Sequence, residues 1–271
     1  ALKQSDSDRR KLAALQLFSR SPFLAKEEII RFLTNQIDPH VDVQTQTFAI
    51  AELARINDPE PARFFVKQWR FVTPEIRRAF FSAILQRPSW ARHLLQSILA
   101  KKIPVGEVSP SQRNQLLGHT NSEIVKLSKS LFSAGPIMER NANVLRFVNA
   151  IGKITRLPNA AHGKSVFEQH CSKCHQLGDV GKPVGPNLIT VKDLSVPGLV
   201  RAILTPNAAV EDKFRSYLVA LDDGRELTGL IESESTTQIR LAAADGTTHE
   251  LFRSQIEQIK STGKSLMPER L

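Results

Sequence analysis

The chain has 271 residues, of which 41% are hydrophobic, an ordinary soluble composition that excludes wholesale disorder. It holds no run of about 18 apolar residues, so no segment is predicted to cross a bilayer as a helix. The net charge of +10 is uneven: residues 1–160 carry 24 Lys and Arg against 13 Asp and Glu, and residues 161–271 carry 13 against 14. The basic half suits an anionic protein or glycan as partner, or else is simply a solvated, Arg-rich surface.

The opening "ALKQSDSDRRK" lacks the apolar centre of a signal peptide and reads as the start of a processed mature form or of a fragment. From about Asp8 to Thr155 the hydrophobic period is helical. "PFLAKEEIIRFLTNQ" places Phe23, Leu24, Ile29, Ile30 and Leu33 towards one face, and "VQTQTFAIAELARI" does so with Val43, Phe48, Ile50, Leu53 and Ile56. Thr73-Pro74-Glu75 and Ser109-Pro110 fit an N-cap followed by proline in the first turn. Breaks at these sites, at Asp58, Arg87, Thr120 and Ala134, predict helix pairs of about 35 residues. They run over 41–70, 73–102 and 109–134. This weak period looks like HEAT-type repeats, an α-solenoid; a non-repeating bundle is the other reading. Phe64, Phe65, Trp69, Phe80, Phe81 and Trp90 are expected to fill the core between helices, and Met138 belongs to the same apolar interior.

Leu157-Pro158-Asn159 reads as a connection, followed by a short helix towards the cysteines and another from about Asp193 to Thr205. "SYLVAL" and "RELTGLIE" flank Asp222-Asp223-Gly224, "QIRLAA" and "TTHELF" flank Asp245-Gly246, and "IEQIK" closes the run. These predict two hairpins and a fifth strand, forming a small curled sheet or barrel. The fold class is therefore mainly α with a small β module: helical repeats over 1–158, then a second domain over 159–271 with the β module inserted at about 214–260.

The only two cysteines stand in Cys171-Ser172-Lys173-Cys174-His175, the C-x-x-C-H attachment sequence for a c-type haem. Two intervening residues let both sulfurs reach the two vinyl groups from one turn, and His175 is then carried under the iron as proximal ligand. Zinc is a rival that would recruit His40, His93, His119, His162, His170 or His249. A redox dithiol wants a strand before the pair, whereas a helix precedes it here. A buried free pair is the third alternative. Phe167, four residues before Cys171, shares its helical face and is placed beside the porphyrin edge.

With "VGPNL" downstream, "GKSVFEQHCSKCH" resembles class I cytochrome c. The resemblance implies that the carbonyl of Pro186 accepts the hydrogen bond of the His175 imidazole. The further motifs "ILTPNAAVEDKFRSYLVALDDGRELTGLIESES" and "SLMPERL" resemble the haem-binding domain typical of planctomycete and verrucomicrobial proteins, over about 163–271. That likeness implies a β module set before the methionine loop, helical repeats upstream, and Met267 as sixth ligand. The family's terminal helix after the methionine has no counterpart among these residues, so either the sequence is truncated or the loop is anchored differently, for which the β module is the candidate. Left unanchored, the sixth site would be empty or taken by His162, His170 or His249.

The expectation is one covalently attached haem c per chain with His175 and Met267 on the iron, serving one-electron transfer to or from a redox protein. A haem-based gas sensor with a labile sixth ligand, the electron-accepting part of a sugar dehydrogenase system, and a solenoid scaffold are alternatives. No residue set for catalysis within the chain is recognised, and nucleic acid is not expected as partner. Because haem c is attached outside the cytoplasmic membrane in bacteria, a periplasmic or otherwise exported protein is expected.

Overall fold

The structure, a computed structural model, describes residues 2–132, 137–155, 157–191, 195–208 and 210–269, without the side chains of 2–8 and 137–141. Asp193 and the Met138 side chain thus lie outside the described residues. About half the chain is helical, and seven strands make the fold mixed α and β rather than mainly α.

The helices up to Phe132 are α1 (Leu2–Ser19), α2 (Lys26–Thr34), α3 (Val43–Arg55), α4 (Glu60–Gln68), α5 (Pro74–Leu85), α6 (Pro88–Leu99), α7 (Pro110–Leu117) and α8 (Ser122–Phe132). Their starts are written in cap chemistry. The Asp42 carboxylate accepts from Thr45 N at 2.8 Å, the Ser109 hydroxyl from Gln112 N at 3.3 Å, and the Asn121 amide oxygen from Glu123 N at 3.0 Å. Proline opens α5, α6 and α7, where its missing N–H costs nothing. Packing runs between alternate helices: α1 on α3 on α5 in one row, and α2 on α4 on α6 on α8 in the other.

One apolar cluster from Ile29 to Ile124 fills the space between the rows. Phe65 stacks on Phe80 with ring centroids 4.5 Å apart, and Trp90 meets Phe65 edge-on at 6.1 Å. Phe65, Trp69, Phe80, Phe81 and Trp90 are buried, as expected of core aromatics, and Phe64 packs half-buried against them. Phe23 is a correction, being 94% exposed. Helix α2 begins only at Lys26, where the Glu28 carboxylate accepts from Ala25 N, so Phe23 sits in the preceding turn.

Two further helices, α9 (Ile137–Gly152) and α10 (Ala160–His170), lead to a two-stranded ribbon of β1 (Gln176–Leu177) and β2 (Val180–Gly181). Helix α11 (Val196–Leu204) follows, capped by Ser195, and packs on α9. The five predicted strands are then found as β3 (Arg215–Leu221), β4 (Glu226–Glu234), β5 (Gln238–Ala242), β6 (Thr248–Phe252) and β7 (Ile256–Ser265). They form one antiparallel sheet in the order β6-β5-β4-β3-β7. Gly224 and Gly246, at φ 84° and 82°, make the two tight turns that only glycine enters without strain. The module extends five residues past its expected end at 260, to Ser265.

That order requires a curled sheet. Across a flat one, β6 and β7 would stand about 19 Å apart, four spacings of about 4.8 Å. Yet only Arg253–Gln255 joins Phe252 to Ile256, a link able to span about 14 Å at most. The curl encloses Tyr217, Val219, Leu221, Ile239, Leu241, Ile256 and Ile259.

The β module is seated on the helical rows by buried charge. Glu107, in the short helical turn Val105–Glu107, is wholly buried. It accepts from Arg70 Nε at 2.9 Å, Arg77 Nη1 at 3.1 Å, Arg215 Nη1 at 3.2 Å and Ser261 Oγ at 2.9 Å. A second tie runs from Arg253, whose guanidinium donates to Pro39 O at 3.0 Å and to Glu234 at 2.9 Å.

Candidate functional site

The site grows from the end of α10. Asn159 caps that helix by accepting from His162 N at 3.0 Å, and the helix closes where Phe167 O accepts from Cys171 N at 2.8 Å and Ser172 N at 2.9 Å. A tight turn follows, in which Cys171 O accepts from both Cys174 N and His175 N at 3.1 and 2.9 Å. Both thiols are free and half-buried, and Phe167 is the one residue of α10 that is not exposed. The turn thus presents both sulfurs and the imidazole from five consecutive residues.

The next segment folds back over this turn. Lys182 N donates to Ser172 O at 3.0 Å and Gly185 N to Cys174 O at 2.6 Å. The approach is so close that glycine is required. A Cβ on Gly181 would lie 2.0 Å from His175 O, and one on Gly185 would lie 2.8 Å from His175 Cε1. His175 Nδ1 then stands 2.9 Å from Pro186 O. A carbonyl only accepts, so Nδ1 carries a proton, and in the neutral ring Nε2 is then the nitrogen with the lone pair. This is the arrangement by which an outer hydrogen bond orients a ligating imidazole.

Met267 comes from elsewhere in the chain. It lies half-buried two residues beyond β7, its N–H donating to Ser265 Oγ at 3.1 Å. Ser265 N donates to Asn207 Oδ1 at 2.8 Å, and Asn207 Nδ2 donates to Glu269 at 2.6 Å. The methionine loop is therefore held between the end of β7 and the segment after α11. The sheet also touches the cysteine turn directly, with Cys174 Sγ 3.7 Å from Ala244 O. Cys171, Cys174 and His175 share one turn, which meets Phe167 through its carbonyl and Pro186 through the imidazole, while the hydrogen bonds around Met267 run to Ser265 and, through it, Asn207.

The chemistry of the donors fits a covalently held haem. One imidazole nitrogen is tied to a carbonyl, its partner is available to a metal, and two thiols stand on the same turn. Among the described residues from 145 to 208 no side chain is buried, although Val166, Leu177, Ile189, Val196, Leu199 and Ile203 are apolar and exposed. A flat apolar porphyrin is the kind of group such a surface covers. Partial burial pushes the Cys171 thiol up from its ordinary value. Among the described residues no three His, Cys, Asp or Glu side chains are grouped to hold a metal ion. His162 and His170 are exposed, and His249 is half-buried beside Thr247.

Gly181, Gly185, Ala244 and Asn207 are not among the site residues expected from the sequence. The glycines between the cysteines and Pro186 carry a signal, since a loop that returns over a histidine needs residues without a Cβ. Asn207 carries none, because its partners lie about sixty residues away. No known family model matches the chain, and no curated protein matches it.

Proposed function

We propose that this chain is a c-type cytochrome, a one-electron carrier with a single haem joined by thioether bonds to Cys171 and Cys174. The hydrogen bond from His175 Nδ1 to Pro186 O carries the reading, because it leaves Nε2 unprotonated beside two thiols. His175 would bind iron through Nε2 and Met267 through its thioether, with Phe167 against the porphyrin. Haem so held supplies reversible one-electron iron chemistry with no open coordination site. The chain's own part is to hold the ring: Gly181 and Gly185 let the loop close over His175, and Pro186 fixes its tautomer.

In this reading residues 1–158 are a HEAT-like repeat domain, which the two rows of alternate helices support. Residues 159–271 are a cytochrome c-like domain with the sheet inserted before the methionine loop. The partner is a redox protein, with an anionic protein or glycan at the basic helical half. The setting is periplasmic or otherwise exported, where haem c is attached, and acting as electron acceptor in a sugar-oxidising system is the narrower form of the same role.

The test is production in a host able to attach haem c, followed by the mass of the denatured chain. A gain of one haem, lost when Cys171 and Cys174 are both replaced by serine, is the expected result. Colourless protein of unmodified mass sinks the proposal.

A further inference from the structure

We infer that the helical rows are part of the haem site: Glu107, through Ser261 and the bulge it supports, is the positioning residue for the Met267 loop. The inference rests on the cytochrome reading. Its basis is the pairing of β7 with β3. Tyr217 faces Ser261 and Arg215 faces Ser265, so two steps on β3 match four on β7. The extra residues form a bulge, the device by which a strand end is re-aimed.

The bulge is pinned on both sides. Ser216 Oγ lies 2.5 Å from Thr262 Oγ1 and donates to Lys264 O at 3.1 Å, while Gly263 adopts φ 73°. On the other side stands Glu107. Ser261 Oγ donates to its carboxylate and accepts from Gly263 N at 3.1 Å, and a Cβ on Gly263 would lie 3.0 Å from Glu107 Oε1. Arg70 encloses the same strand, its O accepting from Ser261 N at 2.7 Å and its Nη2 donating to Ser261 O at 3.1 Å.

A carboxylate has about four acceptor sites, and Glu107 spends them on Arg70, Arg77, Arg215 and Ser261. Arg215 in turn donates to Gly106 O at 2.6 Å and Val210 O at 3.3 Å, and Arg113 reaches Ala208 O at 3.5 Å. The turn of the helical rows therefore gathers both strands of the methionine anchor, the bulge of β7 and the segment carrying Asn207. A buried carboxylate from another part of the chain sets where the methionine loop begins.

The experiment uses the full chain with haem attached, comparing Ser261→Ala, Glu107→Gln and Asn207→Ala with the parent. The readouts are the thioether-to-iron absorption band of the oxidised form and the rate of carbon monoxide binding to the reduced form. Losing one hydrogen bond from the anchor is expected to weaken the band and to raise the carbon monoxide rate about tenfold, haem staying covalently bound. A merely structural role would shift unfolding and leave both spectra unchanged. Should Glu107→Gln not fold, Ser261→Ala and Asn207→Ala decide the outcome. Variants that keep band and rate overturn the inference and leave the cytochrome reading standing. A parent with covalent haem and no thioether band overturns the inference and also removes Met267 from the iron, leaving only the covalent haem attachment. A parent without covalent haem ends both.

Discussion

The helical rows and the segment around the two cysteines are built on opposite plans. Between Ile29 and Ile124 a continuous apolar cluster is shut off from water, and Leu33, Leu53, Phe65, Trp69, Phe80 and Leu94 have no exposed surface. From 145 to 208 no described side chain is buried, and α10 and α11 bury none of their residues. The first region is stabilised by area removed from water. The second is held by backbone hydrogen bonds and by glycines that let chain pack on chain. A segment with ordered turns and no apolar centre of its own is fitted to organise around a group it does not encode, as the proposed porphyrin would be.

Four measurements sharpen that contrast. The largest effect is expected in the rows: Phe65→Ala should cost about 3–5 kcal/mol in chemical unfolding, because the stack on Phe80 and the contact with Trp90 are lost to a cavity. A cost below about 1 kcal/mol would mean the rows are not the dense core described.

Next comes the pH dependence of the β module. Burial pushes the Tyr217 hydroxyl up to about 12 from 10.0, and its oxygen has no hydrogen-bond partner among the described residues. The folded form then holds its proton while the unfolded form gives it up. Stability from this group is complete below pH 10 and declines as pH rises towards about 12, by about 2–3 kcal/mol. In Tyr217→Phe this part of the alkaline decline in melting should vanish, with stability at neutral pH unchanged or raised.

A smaller effect is expected at His175. In the haem-free chain, nitrogen NMR should find the proton on Nδ1, whereas Gly185→Ala forces the ring off Pro186 and loses an interaction of about 1 kcal/mol, shifting the tautomer to Nε2–H. An unchanged tautomer would contradict the described close approach. The smallest effect belongs to Phe167→Ala, which in the haem-free chain should move global unfolding by less than about 1 kcal/mol, since it removes little buried surface. If haem is bound as proposed, the same substitution should cost visibly more in the holoprotein.

Much of this was legible in the sequence because it is local chemistry. Thr73 and Ser109 cap helices whose starts lie one residue on. Asp-Gly turns separated the strands because their positive φ leaves glycine as the residue of choice. Cys171, Cys174 and His175 could be grouped because five residues suffice to group them. Elsewhere the local signal was ambiguous. Phe23 continued an apolar pattern past the first residue of α2, and β7 ran beyond "IEQIK" because Arg70 and Glu107 extend its pairing.

The amino-acid order alone determined the helices, the hairpins and the turn from Cys171 to His175, since each depends on residues within about one turn of one another. The tertiary structure decided the rest: which way the His175 ring is held, how tightly the sheet curls, and what anchors Met267. The last of these depends on Glu107 meeting Arg215 and Ser261, 108 and 154 residues further along. A buried carboxylate can be read as a glutamate anywhere in a sequence, but its partners are chosen only when folding removes water from around it.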